Sequence, residues 1–266
     1  DFDILLWWLE RRCERLSSVG GLRHFIPQNA PPGAPEYCLD GCPVEKTCPY
    51  YAPFIYLDLI PLWRSFAGTA AGFPRWAMQV NLRLPGLVRR LGNIIPLLRQ
   101  VSEYRGWPRS VVAADPTPEN LMQALRRGPY GRCVYRCQNN VVDHQSVLMQ
   151  FEGPLSVTLT MHGHSHLEYR TTRIEGTRGT LRAELGLGGA WVEVRQHRSG
   201  QSTRYNTSAP LGEGHGGGDQ ALMAAFVHSL GHGGEQALTL GRQSLQSHLL
   251  AFAAEQARLS GQVIEL

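Results

Sequence analysis

The feature that most constrains this chain is a run of short β-type segments between about residues 132 and 206 with no helix pattern among them. Parallel strands need a crossover of a dozen residues or more, so strand after strand at this spacing implies antiparallel pairing. Segments 132–137, 141–151 and 155–161 alternate or run apolar. In the last, Leu155, Val157, Leu159 and Met161 face one way, and Ser156, Thr158 and Thr160 the other. Segments 169–175 and 179–184 meet at Gly176-Thr177-Arg178, a hairpin turn, and 191–195 and 202–206 form one more pair.

Helical spacing brackets this run. Phe2, Leu5, Leu6 and Leu9 share a face that Trp7 and Trp8 widen. A short strand over 15–25 follows, broken at Gly20-Gly21. Thr117-Pro118-Glu119-Asn120 opens a helix, with Thr117 as cap and Pro118 at the first position, and Gly128-Pro129-Tyr130-Gly131 ends it. Two amphipathic helices close the chain, over 219–230 and about 242–260. Leu245, Leu249, Phe252 and Leu259 of the last are expected to pack on the sheet. The fold class is therefore α+β: one domain over 1–266 with a large open, mainly antiparallel sheet and helices on one face. Residues 27–53 carry Pro, Gly and Cys and predict an ordered, irregular loop. Residues 54–106 read poorly, because a helix suggested over 82–101 is interrupted by Pro85 and Pro96.

Composition narrows the function classes. With 42% hydrophobic residues and 18% charged ones, a sizeable core is expected rather than disorder. The net charge is +4, Lys46 is the only lysine, and no basic run interleaves with aromatics as a nucleic-acid surface would. No apolar stretch reaches bilayer length, and the start does not read as a signal peptide. It opens in the middle of a helix pattern, as if inside a larger protein. A cytoplasmic location with reduced thiols is the expectation, so the six cysteines should be ligands, catalytic groups or buried residues rather than disulfides. No G-x-G-x-x-G opens a strand–turn–helix unit, and Gly216 to Gly218 read as a flexible lead-in to a helix.

Three constellations carry chemistry. Cys38, Cys42 and Cys48 stand as C-x3-C-x5-C in the irregular loop, and Cys13 upstream could fold onto them to complete a tetrahedral structural zinc site. The alternative is small buried apolar residues; the spacings match neither ferredoxin pattern. Cys133 and Cys137 would share one face of a strand, where packing is the plainer role. Asn139, Asn140, Asp143 and His144 form a polar cluster in which Asp143 could hold His144 in one tautomer, or in which Asn and Asp serve a turn. His162, His164 and His166 would point to one side of a strand, as metal ligands could, which suggests a metal-dependent hydrolase. The β-after-β order opposes the barrel such an enzyme would need. His162 or His166 lining a sugar site is the milder alternative.

The order of elements and four local stretches resemble the C-terminal half of the Gfo/Idh/MocA oxidoreductases. D-F-D-I-L-L-W-W-L looks like that family's H-x-x-D-x-x-x-x-L helix, with Asp3 at the acidic position. G-P-Y-G-R-C-V-Y-R-C-Q-N-N-V-V-D-H-Q resembles the entry to its sheet in a Cys-containing subgroup. I-E-G-T-R-G-T-L looks like its x-G-T-x-G hairpin, and S-L-Q-S-H-L-L-A-F-A-A-E-Q-A-R-L-S-G its last helix. About residues 58–106 find no counterpart.

The resemblance implies an NAD(P)-dependent dehydrogenase of a sugar, polyol or related hydroxyl, of which this chain is the substrate and oligomerisation half. It implies substrate contacts at Asp3, Asn140, Asp143, His144 and His162, and a homo-oligomer formed through the open sheet face. The family's Rossmann domain is missing, and NAD or NADP would be bound there. The family's catalytic lysine stands in E-K-P, whereas Lys46 stands in V-E-K-T, and its histidine would fall before Asp1. The fragment alone is therefore expected to be inactive. A non-catalytic zinc-stabilised binding or scaffold domain is the alternative that keeps only the fold.

Overall fold

The computed structural model describes residues 1–69, 72–92, 94–165, 168–186, 189–208, 218–231 and 241–266. His166, Gly216 and Gly217 lie outside them. In chain order, α1 (Phe2–Leu9) leads into β1 (Cys13–Gly21) and then the irregular loop. A helical stretch follows: α2 (Ala52–Tyr56), α3 (Ile60–Thr69), α4 (Gly72–Arg83), α5 (Pro85–Gly92), α6 (Pro96–Ser102), α7 (Arg109–Val112) and α8 (Pro118–Arg127). Next come β2 (His144–Phe151), β3 (Leu155–His162), β4 (Tyr169–Glu175), β5 (Gly179–Gly186), β6 (Gly189–Gln196) and β7 (Ser202–Asn206). The chain closes with α9 (Gly218–Gly231), α10 (Gly241–Ser260) and β8 (Ile264–Glu265).

The fold is α+β, and every strand ladder among the described residues is antiparallel. The strands divide into two four-stranded sheets, ordered β3-β2-β1-β8 and β4-β5-β6-β7, where one large sheet was expected. The expected single domain likewise divides into two compact units: Asp1–His24, Gln138–Ser165 and Pro210–Leu266 form the first, and Phe25–Cys137 with His166–Ala209 the second.

In the first unit, period-two alternation sends Val147, Met149 and Phe151 of β2 to the face that holds Leu16 of β1. Leu250, Ala253, Ala254 and Ala257 of α10 cover that face, and Phe2, Leu5, Leu6 and Leu9 of α1 pack against the same core. The expected stripe of α10 is not the one used. Leu245, Leu249, Phe252 and Leu259 are all exposed, and the helix is buried along Leu250 and its alanines instead. Leu222, Phe226 and Leu230 of α9 are exposed as well, and among the described residues the helical members of this core come from α10 and α1.

In the second unit, Leu59, Leu62, Trp63, Ala77, Val88, Leu98 and Val101 build a helical core from residues that the sequence left unread. The single helix suggested over 82–101 is three helices. Pro85 and Pro96 each start a new one, the position where a missing N–H costs nothing. Arg109 ties the segment's edge together, donating to the carbonyls of Tyr56 (3.0 Å), Tyr104 (2.7 Å) and Leu57. Thr117 caps α8 as expected, its Oγ1 accepting from the Asn120 N–H at 3.2 Å. The β4–β5 hairpin turns at Gly176 to Arg178, closed by the Gly176 N–H on the Gly179 carbonyl at 2.9 Å.

Segment 132–137 is not a strand. It pairs only through one isolated bridge, Tyr37 with Arg132, and then winds into a 3-10 turn over Val134–Arg136. Cys133 and Cys137 flank that turn and share no strand face.

Candidate functional site

Two places gather chemistry-bearing side chains. The first is the end of the β1-β2-β3 sheet. The ladder sets Gly21 opposite His144 and His144 opposite His162. Asp143, just before β2, is buried and heavily bonded. Its Oδ2 accepts the backbone N–H groups of Arg23 at 2.9 Å and His24 at 2.5 Å. Its own N–H donates to the Gly21 carbonyl at 3.0 Å, and its carbonyl accepts from the Gly163 N–H at 2.7 Å. The remaining carboxylate oxygen, Oδ1, lies 2.9 Å from His144 Nδ1. The ring is held by a carboxylate whose side chain is only 3% exposed, while His144 itself is 38% exposed. Nε2 has no partner among the described residues, so one ring nitrogen is oriented and the other is open to a ligand. Gly20 makes the approach possible, because a Cβ there would stand 2.4 Å from the His144 carbonyl oxygen.

Further histidines stand around this pair. The His162 and His164 rings lie 5.9 Å apart, and His164 lies 5.2 Å from His24. The structure therefore brings together Asp143, His144 and His162 of the expected substrate residues. Asn140 is exposed in the approach loop, where the Asn139 side chain accepts from the Val141 N–H at 3.2 Å, the turn role weighed for this stretch. Asp3 is exposed in the first turn of α1, with no hydrogen bond or ion pair to the cluster. Sequence reading missed His24. It joins the site through the β1–β2 ladder, a long-range pairing that no local pattern encodes.

The second place is a small cavity in the irregular loop, about 10 Å³ in volume. Cys38, Cys42, Cys48 and Cys133 line it with Pro31, Ala34, Pro35, Val44, Tyr50, Tyr51, Val134 and Tyr135. The loop is pinned there by two backbone bonds, Cys38 N–H to the Gly131 carbonyl and Cys133 N–H to the Glu36 carbonyl, each 2.8 Å. Gly131 permits the close turn after α8, since a Cβ would meet the Leu125 carbonyl oxygen at 1.7 Å. The fourth thiol of this set is thus Cys133. Cys13, the expected fourth ligand, is packed in the core of the first unit beside Leu16 and Phe151. Burial pushes the Cys38 and Cys48 thiols up, with backbone hydrogen bonding from Ala52 to Cys38 and from Tyr50 and Tyr51 to Cys48 acting the other way. All six cysteines are free. As their side chains stand, no three His, Cys, Asp or Glu among the described residues form a group that could hold a metal ion.

No described helix is long and apolar enough to cross a membrane. No protein-family model matches the chain, and no curated protein matches it either.

Proposed function

We propose that this chain supplies the substrate-binding and subunit-contact half of an NAD(P)-dependent oxidoreductase acting on a sugar, polyol or related CH–OH group in the cytoplasm. The observation that supports it is the Asp143–His144 pair: a buried carboxylate fixing Nδ1 of a half-exposed imidazole at 2.9 Å, with Nε2 unengaged among the described residues. A hydroxyl that surrenders a hydride must also lose its proton, and an imidazole with one fixed nitrogen is suited to accept it. His162, directly opposite on β3, is placed to bond a neighbouring hydroxyl.

The described residues do not fit a nicotinamide dinucleotide. Their ladders are all antiparallel, whereas such cofactors sit at the Gly-rich turn of a parallel βαβ unit. In this reading the cofactor is held by a separate nucleotide-binding half, and this chain binds, orients and deprotonates. The open face of the first sheet, where Val19 and Leu148 are exposed, is the face on which a second copy would sit. A scaffold without catalysis is the second reading, favoured by the thiol-lined cavity, which has no part in hydroxyl chemistry.

The test has two steps. The histidine C2–H resonances of the chain are followed by NMR against a panel of hexoses, hexitols and inositols. His144 and His162 are expected to shift together with at least one of them. Joined to a nucleotide-binding half, His144→Ala is then expected to lower kcat by about 10²- to 10⁴-fold. A panel that leaves both resonances unmoved, or a His144→Ala enzyme with full turnover, would overturn the reading in favour of the scaffold.

A further inference from the structure

Independently of that reading, we propose that the cavity lined by Cys38, Cys42, Cys48 and Cys133 is a four-thiolate site for one structural zinc ion. The four cysteines come from two segments far apart in sequence, the irregular loop and the turn after α8, yet they line one small cavity. That space is about 10 Å³, at or below what a single water needs, so no organic ligand enters it. Its other lining residues are proline, alanine, valine and tyrosine, which offer a lone water little to bond. A bare cation with thiolate ligands suits a void of that size and chemistry.

The thiols do not yet stand as a metal-holding group. An ion would have to draw them together, and the two segments that carry them are already joined by the Cys38–Gly131 and Cys133–Glu36 hydrogen bonds. Zinc binding is written as Zn²⁺ plus four thiols giving a tetrathiolate and four protons, so it weakens as pH falls.

The experiment is metal analysis of the full chain purified under reducing conditions. It is joined by cobalt substitution, whose thiolate-to-metal absorption reports the number of sulfur ligands. One zinc per chain is expected, with a four-sulfur cobalt spectrum. Cys133→Ser and Cys42→Ser should each weaken zinc at least tenfold in chelator competition, while Cys13→Ser and Cys137→Ser leave it unchanged. Should a variant fail to fold, stepwise blocking of the wild-type thiols with a mercurial, read as zinc released per thiol blocked, gives the same answer. No zinc in the wild type, iron with sulfide in its place, or zinc lost with Cys13→Ser but kept with Cys133→Ser would each overturn the proposal. None of these results depends on a sugar or a cofactor, so this proposal can fail while the oxidoreductase reading stands, or the reverse.

Discussion

Asp143 shows how much one side chain can hold. A carboxylate buried at the end of β2 satisfies the N–H groups of Arg23 and His24 and fixes the His144 ring. Removing it leaves two backbone donors without their acceptor at a buried position. Asp143→Ala is expected to destabilise the fold by about 2–4 kcal/mol, from the unmet hydrogen bonds and the lost charge-assisted ones. Urea denaturation would measure it; a loss below about 0.5 kcal/mol, the range of an ordinary surface change, would mean water replaces the carboxylate freely. The pair itself was legible, since Asp143 and His144 are adjacent in sequence. What Asp143 does was not, because its other partners lie some 120 residues away.

Among the elements, boundaries followed local chemistry wherever that chemistry was strong. The α8 helix begins at Pro118 behind Thr117 because the threonine hydroxyl meets the Asn120 N–H and the proline needs no donor. Thr117→Ala should cost about 1 kcal/mol, seen as a shift in the urea midpoint, and Thr117→Ser should restore most of it. Strands β3 to β7 were readable for the same reason: alternation and Gly-bounded turns are local signals. Segment 132–137 misled because its apolar residues, Cys133, Val134 and Tyr135, belong to a turn fixed by contacts with the loop at 36–38. The helices within 58–106 were hidden by their prolines, which start helices here rather than end a single one.

At the scale of the whole chain, the described residues bury three separate apolar clusters, the smallest of them around Cys38, Ala52 and Leu125. Phe151 belongs to the sheet–helix core of the first unit and Leu98 to the helical core of the second, and the two cores share no residue. Phe151→Ala should cost about 3–5 kcal/mol and Leu98→Ala about 2–5 kcal/mol. In the double variant the losses should add to within about 0.5 kcal/mol, and a larger coupling energy would show that the cores share partners after all. Sequence periodicity predicted α+β with antiparallel pairing, but not the number of sheets. Which strands join one sheet is decided by long-range register, and a strand with good alternation fits either.

The seating of α10 on Ala253, Ala254 and Ala257 reverses the usual map of mutational tolerance along a terminal helix. Its bulky residues, Leu245, Leu249, Phe252 and Leu259, sit outside the core and leave room for almost any replacement. The three alanines, the least conspicuous letters in the helix, are buried in the core beside Leu250. A single added methyl group there must either be absorbed by the strands or lever the helix away from them. Sequence drift along α10 should therefore be wide at these four large residues and narrow at the three alanines and at Leu250, which is buried with them.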